Sequence, residues 1–408
     1  MVGFDTMSQP TDKPLDLVVL GGAGHVGLPL ALSFADAGLR VGIYDTNQRT
    51  LRQIEAGRAP FLEAGIGEML TRVRSSGRLT VSTEVSLLAQ APNVIVVIGT
   101  PIDEFLNPSM SIFETMVDQV APYLVDGALL ILRSTVYPGT TRHVARTLAV
   151  RGLKVDVAFC PERIAEGHAL EEIRSLPQII GAETEAAATR AEALFRHLAS
   201  DIIQVGPDEA EMAKLVTNTW RYLKFAAANQ FMVIAADAGI DYNQVLHAVR
   251  TDYPRAADLP TPGFAAGPCL FKDTMQLAAV SRDRFPLGQA AMQINEGLPA
   301  FVVSAMVRRY GPLRGRRIGL LGMAFKAESD DPRASLSYKL RKLLLWQGAE
   351  VLCTDPFIVD SRFSPLEQVL KKAEIIVIGA PHRLYRTLSL SERDLVDIWG
   401  ITEKGIVL

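Results

Sequence analysis

The segment from Asp16 to Asp45 constrains this chain more than any other. Asp16-Leu17-Val18-Val19-Leu20 is a short apolar run with the character of a buried strand. Gly22-x-Gly24-x-x-Gly27 follows at once and leads into an apolar helical run to Ala37. Arg40-Val41-Gly42-Ile43-Tyr44 is a second strand, closed by Asp45. A glycine triplet in this strand–turn–helix–strand setting is the opening of a doubly wound α/β domain. Gly22 is expected to make the tight turn. Gly24, with His25 and Val26 beside it, lets backbone N–H groups reach a diphosphate at the helix N-terminus, and Gly27 lets the helix pack on the strand. Asp45, about 20 residues on, suits a ribose 2′-hydroxyl and repels a 2′-phosphate, so NAD is the expected cofactor over NADP.

Further βα units follow. Val94 to Ile98 ends in Gly99-Thr100-Pro101, Ala128 to Leu132 in Arg133-Ser134-Thr135-Val136, and Val155 to Phe159 in Cys160-Pro161-Glu162-Arg163. Polar groups at strand C-termini are where open α/β sheets place their sites. From about Ala210 the strand signals stop. Glu211 to Gly239 reads as one long helix, apolar nearly all round, with Lys214 and Asn218 four apart on one face. Such a helix is expected to be buried between subunits or domains. Helical segments continue over Asn243–Val249 and from Asp273 to about Arg309. After Pro312 the βα alternation returns, with strands over Arg317–Leu321, Glu350–Cys353 and Glu374–Ile378. The expected fold class is therefore α/β, with two Rossmann-like doubly wound domains joined by a central, mostly helical domain. The expected divisions are a flexible leader over 1–14, a cofactor domain over 15–208, a helical dimerisation domain over 209–311 and a second α/β domain over 312–408.

Within the helical part, Gly263-Phe264-Ala265-Ala266-Gly267-Pro268-Cys269-Leu270-Phe271-Lys272-Asp273 places a thiol after a small-residue turn. An ammonium and a carboxylate follow at helical spacing. A thiolate is a strong nucleophile, and a nearby cation lowers its pKa from about 8.5. The bland alternative is a structural cysteine after a loop.

Composition narrows the rest. The formal charge of -3 gives no bulk attraction to nucleic acid or an anionic membrane. The three cysteines and six histidines have no metal-ligand or disulfide spacing, so no metal is expected and a reducing compartment, the cytoplasm, is. No apolar run is long enough to span a bilayer.

These motifs, taken in order, resemble the UDP-glucose/GDP-mannose dehydrogenase family, the nucleotide-sugar 6-dehydrogenases. The resemblance runs from about Leu15 to the C-terminus. It rests on the glycine triplet, Thr100-Pro101, Ser134-Thr135-Val136, Pro161-Glu162-x-x-x-Glu166-Gly167 and Glu211-x-x-Lys214-x-x-x-Asn218. Cys269-x-x-Lys272-Asp273 and Ala324-Phe325-Lys326-x-x-x-Asp330-Asp331-x-Arg333-x-Ser335 complete it. The resemblance implies a four-electron oxidation of a sugar C6 hydroxyl to a carboxylate with two NAD, through a thiohemiacetal and a thioester on Cys269. Lys214 and Asn218 would stabilise negative charge on the C6 oxygen. Asp273, Thr135 and a carboxylate of the Glu162/Glu166 pair would order the water. Thr100, Pro101, Thr135, Lys272 and Arg333 would join the glycine turn at the cofactor. Arg163, Gly267, Phe325 and Lys326 would meet the substrate, Lys326 at its nucleotide, in a cleft between the two α/β domains. Arg255, in Tyr253-Pro254-Arg255, resembles an arginine that a neighbouring subunit contributes, which implies a homodimer or larger homo-oligomer.

Ala265, Ala266 and Pro268 thin the glycines usual before the nucleophile. Cys160-Pro161-Glu162-Arg163 and Tyr253-Pro254-Arg255 resemble the UDP-N-acetylhexosamine branch, whereas Cys269-Leu270-Phe271-Lys272-Asp273 resembles the UDP-glucose branch. A UDP-N-acetylhexosamine of the GlcNAc or ManNAc type, for polysaccharide precursor synthesis, is the favoured substrate, with UDP-glucose next. A single-step β-hydroxyacid dehydrogenase would need neither the thiol nor the 312–408 segment. A non-catalytic dinucleotide sensor would need neither Cys269 nor Lys214.

Overall fold

A computed structural model describes residues 14–100, 103, 111–282, 284–390 and 392–408. Pro101 and nearly all of the expected leader lie outside the described residues. The chain divides into two compact units, Met1–Leu215 and Val216–Leu408.

The first unit is built on an eight-stranded sheet of order β3-β2-β1-β4-β5-β6-β7-β8. The strands are β1 (Leu17–Leu20), β2 (Val41–Tyr44), β3 (Leu79–Ser82), β4 (Asn93–Val96), β5 (Leu129–Leu132), β6 (Asp156–Phe159), β7 (Gln178–Ala182) and β8 (Ile202–Val205). Side-chain alternation sorts the sheet onto two faces. Leu17, Val19, Ile95, Leu129 and Ile131 face one core, with the helix Gly27–Asp36. Val18, Leu20, Val94, Val96, Leu130 and Leu132 face the other. Burial on both faces explains why these strands read as unbroken aliphatic runs. Strand order reverses at β1 and β4, and their C-terminal ends carry the glycine turn and Gly99-Thr100. One feature departs from the expected winding: β7 pairs antiparallel with β6, and β8 runs parallel to β7.

The second unit holds a four-stranded parallel sheet, order β10-β9-β11-β12, from β9 (Arg317–Leu321), β10 (Glu350–Thr354), β11 (Ile375–Ile378) and β12 (Asp394–Val396). It too is covered on both faces: Ile318, Leu320 and Val377 lie in one core, Leu321, Ile376 and Ile378 in another.

The long helix runs Pro207–Asp237, four residues earlier than expected, because Pro207 and the acidic Asp208 and Glu209 make a good first turn. The helical stretch expected from Asp273 onward is two helices, Leu270–Val280 and Pro286–Tyr310. Arg282, at φ 53°, and Pro286 at the first turn of the second helix account for the break. Among the described residues, no helix is long and apolar enough to cross a membrane.

Candidate active site

The glycine turn is shaped as a diphosphate cradle, and it takes in Gly21, one residue before the triplet. Gly21, not Gly22, takes the left-handed conformation, at φ 76°, and a Cβ there would lie 1.8 Å from the Val97 carbonyl oxygen. A Cβ on Gly27 would lie 2.4 Å from the Gly21 oxygen, the close helix–strand packing expected. At Gly24 a Cβ would meet nothing of the protein nearer than 3.9 Å, so that position is free for a ligand to approach. Asp45 ends β2, and its Oδ2 accepts from the Ala23 N–H at 3.0 Å, which ties the turn to the strand that a ribose would meet. His25 stacks on Phe61, ring centroids 4.1 Å apart. These residues fit a bound NAD.

The ends of β5 and β6 are held by ion pairing and capping. Arg133 is buried. Its Nε lies 2.7 Å from Glu162 Oε2, its NH1 donates to the Cys160 carbonyl and Gln178, and its guanidinium covers the Phe195 ring. Glu162 Oε1 accepts from the N–H groups of Arg163 and Ile164 at 2.7 and 2.8 Å. A carboxylate held by this many donors is oriented and does not swing. Arg163 donates to the Pro177 carbonyl, and burial draws its guanidinium below its ordinary range. Ser134 Oγ accepts from the Ile98 N–H at 2.8 Å, so the loop that carries Thr135 is fixed to β4.

Two acidic residues without an assigned role complete this unit. Glu63 accepts from the N–H groups of Gly167 and Ala169 at 2.7 and 2.9 Å, and so holds the loop beyond Glu166. Glu211 is fully buried in the first turns of the Pro207–Asp237 helix. It accepts from Gly139 N–H at 2.6 Å, Thr141 N–H at 2.8 Å and Thr141 Oγ1 at 2.5 Å. It thereby caps the helix Thr140–Val150 from outside, where no local side chain does. Burial pushes its carboxyl above the usual range, against the pull of those donors. Lys214, three residues on, is buried as well.

In the second unit the thiol lies at the start of a helix. Cys269 is exposed and is the N-cap of the helix Leu270–Val280, an end whose N–H groups favour an anion. Cys160 and Cys353 are buried, and burial pushes the Cys160 thiol up to about 12. One turn beyond Cys269, Asp273 is fully buried. Asn218 Nδ2 donates to its Oδ2 at 2.6 Å, and Lys272 Nζ lies 3.1 Å from its Oδ1. The ammonium expected to act on the thiol or on a cofactor thus also neutralises Asp273. Gly267 has φ 103°, its N–H donates to the Ala334 carbonyl at 3.4 Å, and a Cβ there would lie 2.6 Å from the Phe325 ring. Lys326 Nζ lies 5.6 Å from the Phe325 ring centroid, and Arg333 forks onto Asp331 with Nε at 2.9 Å from both carboxylate oxygens. Beneath them, the buried side chains of His382 and Asp355 hold the segment: Asp355 Oδ2 accepts from the N–H groups of Met323 and Ala324, and His382 Nδ1 accepts from the Glu328 N–H. Arg255 is exposed beside the Tyr253 ring.

A doubly wound sheet with a glycine turn at its switch point and an acidic strand end beyond defines a dinucleotide-binding protein. The family follows from sequence. Three models of the UDP-glucose/GDP-mannose dehydrogenase family match in succession: its NAD binding domain over residues 16–199, its central domain over 208–297 and its UDP binding domain over 319–404. The chain belongs to this family and is an NAD-dependent nucleotide-sugar dehydrogenase. It is 33% identical over 379 residues to the UDP-N-acetyl-D-mannosamine dehydrogenase of Pyrococcus horikoshii, with 90% of each chain covered. Among solved structures, UDP-D-ManNAc dehydrogenase from Pyrococcus horikoshii superposes with a TM-score of 0.89 at 31% identity, covering 96% of this chain and 97% of that one. A UDP-glucose dehydrogenase from Pyrobaculum islandicum gives 0.87 at 30% identity, covering 96% of both.

Proposed function

We propose that this chain oxidises the C6 hydroxyl of a UDP-N-acetylhexosamine, of the mannosamine or glucosamine type, to the carboxylate through a covalent adduct on Cys269. The observation that carries the reading is the exposed thiol at a helix N-terminus, one turn from the buried Asn218–Asp273 pair. The acetylated sugar is favoured by the Pyrococcus relative's name, and UDP-glucose is second because a UDP-glucose dehydrogenase superposes nearly as well.

Residues Gly21–Gly27 and Asp45, with Thr100 and Arg333, would hold NAD, and two NAD bound in succession would each accept one hydride. Lys214 and Asn218 stabilise the charge that grows on the C6 oxygen as its proton leaves. The Cys269 thiolate then adds to the C6 aldehyde: the S–C bond forms, and the carbonyl oxygen takes up a proton. After the second oxidation the adduct is a thioester. Water, ordered by Asp273, Thr135 and a carboxylate of the Glu162/Glu166 pair, attacks its carbon. The C–S bond breaks, the thiolate is restored and the carboxylate leaves, with both protons of the water released. Gly267, Phe325 and Lys326 receive the nucleotide sugar, with Arg163 and Glu166 at its loop.

The Pro207–Asp237 helix exposes Val216, Trp220, Phe231 and Ile234 along one stripe. A second copy covering that stripe would make the homodimer to which Arg255 contributes. A cytoplasmic enzyme making polysaccharide precursors is the setting this reading implies. The test is NADH formed per sugar across a panel of nucleotide sugars. Two per acetylhexosamine supports the proposal, and one or none refutes it. Cys269→Ser is expected to stop uronate formation, and a normal rate in that variant would sink the covalent scheme.

A further inference from the structure

The loop over residues 260–269 is held from beneath by two asparagines to which the reaction gives no part. Asn229 is fully buried on the Pro207–Asp237 helix. Its Oδ1 accepts from the Gly263 N–H at 2.8 Å, and its Nδ2 donates to the Gly263 carbonyl at 3.0 Å. One side-chain amide thus satisfies both backbone groups of one residue, as a neighbouring strand would. The same Nδ2 donates to Oδ1 of Asn295 at 2.9 Å. Asn295 is fully buried on the Pro286–Tyr310 helix, and its Nδ2 donates to the Tyr222 carbonyl at 3.1 Å. From the opposite side Trp399 closes on Gly263, where a Cβ would lie 2.3 Å from the indole ring. Arg250 fixes the start of the loop through the Leu259 carbonyl at 2.8 Å. Cys269 lies six residues beyond Gly263.

Asparagine is a poor choice for a buried mid-helix position. It has low helix propensity, and its amide costs free energy when removed from water unless every polar group is bonded. An aliphatic pair would join the two helices as firmly but would not fix where the loop backbone lies. The amide pair sets that position through directional bonds.

We propose that Asn229 and Asn295 are positioning residues that place the Cys269 sulfur within reach of the C6 aldehyde, so that the aldehyde is captured before it can leave. The proposal rests on the covalent reading above. A loop displaced by a fraction of an ångström would slow the addition of sulfur to carbon more than the first oxidation, which needs no thiol. Slower addition leaves time for the aldehyde to dissociate.

The experiment compares wild type, Asn229→Ala, Asn295→Ala and Gly263→Ala with UDP-N-acetyl-D-mannosamine and NAD. It reads NADH per sugar consumed, aldehyde trapped by hydroxylamine, and the sugar KM. Asn229→Ala is expected to lower the NADH ratio from two toward one and raise trapped aldehyde at least tenfold, with KM within threefold of wild type. Asn295→Ala, which removes one bond to Asn229 and leaves Gly263 paired, should leak less. Gly263→Ala, which displaces the loop through Trp399 while both asparagine side chains remain in the chain, should leak as Asn229→Ala does and keeps the test open if that variant does not fold. A ratio of two with no trapped aldehyde in the folded variants overturns the proposal. Cys269→Ser run alongside separates the two readings: uronate at a normal rate there refutes the covalent scheme itself, whereas its loss there with tight asparagine variants refutes only the positioning role.

Discussion

Replacing Glu211 by alanine removes the outside cap of the helix Thr140–Val150. Three donors lose their acceptor: the N–H groups of Gly139 and Thr141 and the Thr141 hydroxyl. The hydroxyl can rotate toward another acceptor, but the two amides are fixed by the helix end. Each buried amide left unbonded costs about 1–3 kcal/mol. Relief of the buried carboxylate offsets part of this, since burial already holds Glu211 above the usual carboxyl range. The net loss is then about 2–3 kcal/mol, which is about 30- to 150-fold in a local opening equilibrium. Amide hydrogen exchange resolved at Gly139 and Thr141 reads this directly, with β5 amides as an internal control. Glu211→Gln keeps the shape and one acceptor, so it should lose about 1 kcal/mol. The pH dependence has a definite sign. The folded chain binds the Glu211 proton more tightly than the unfolded chain does. The stability this group gives is complete below its unfolded value and declines as pH rises through its folded one. Glutamine should flatten that part of the curve. Protection at both amides within twofold of wild type in Glu211→Ala would refute the reasoning.

Three other outcomes follow from the geometry. Iodoacetamide on the native protein at pH 8 should label Cys269 and leave Cys160 intact, because burial pushes Cys160 up to about 12; peptide mass spectrometry reads the sites, and labelling of Cys160 at a similar rate would contradict its burial. Asp45→Asn should reduce the kcat/KM preference for NAD over NADP by about tenfold, and an unchanged ratio would remove Asp45 from cofactor selection. Gly267→Ala should lose about 1–2 kcal/mol from its left-handed backbone, with more from the Phe325 ring, and Phe325→Leu in the same chain should recover the second part in a thermal melt.

The opening βαβ unit was legible because glycine spacing, strand length and a terminal acid all agree over 30 residues or so. The grouping of Cys269, Lys272 and Asp273 was legible for a similar reason, in that the three lie about one helical turn apart in sequence. What escaped was long-range. Glu211 lies 70 residues from Thr141, and Asn229 lies 34 from Gly263; nothing local marks either pair. Gly21 escaped because it stands just outside the triplet, and the close approach that demands glycine there comes from Val97 on the neighbouring chain segment. The reversal at β7 has no signature, since an aliphatic strand reads alike in either direction. The break after Val280 was signalled by Pro286 and passed over because the apolar pattern resumes on both sides.

The contact of Gly267 with Phe325, and the bond from its amide to Ala334, bear on protein engineering. They make the thiol-bearing loop and the segment from Ala324 to Ser335 a single interlocked part. A chimera that imported a foreign C-terminal sheet at residue 312, to change which base is accepted, would split that part at its seam. Crossovers that carry both pieces together should yield working hybrids far more often than those that separate them.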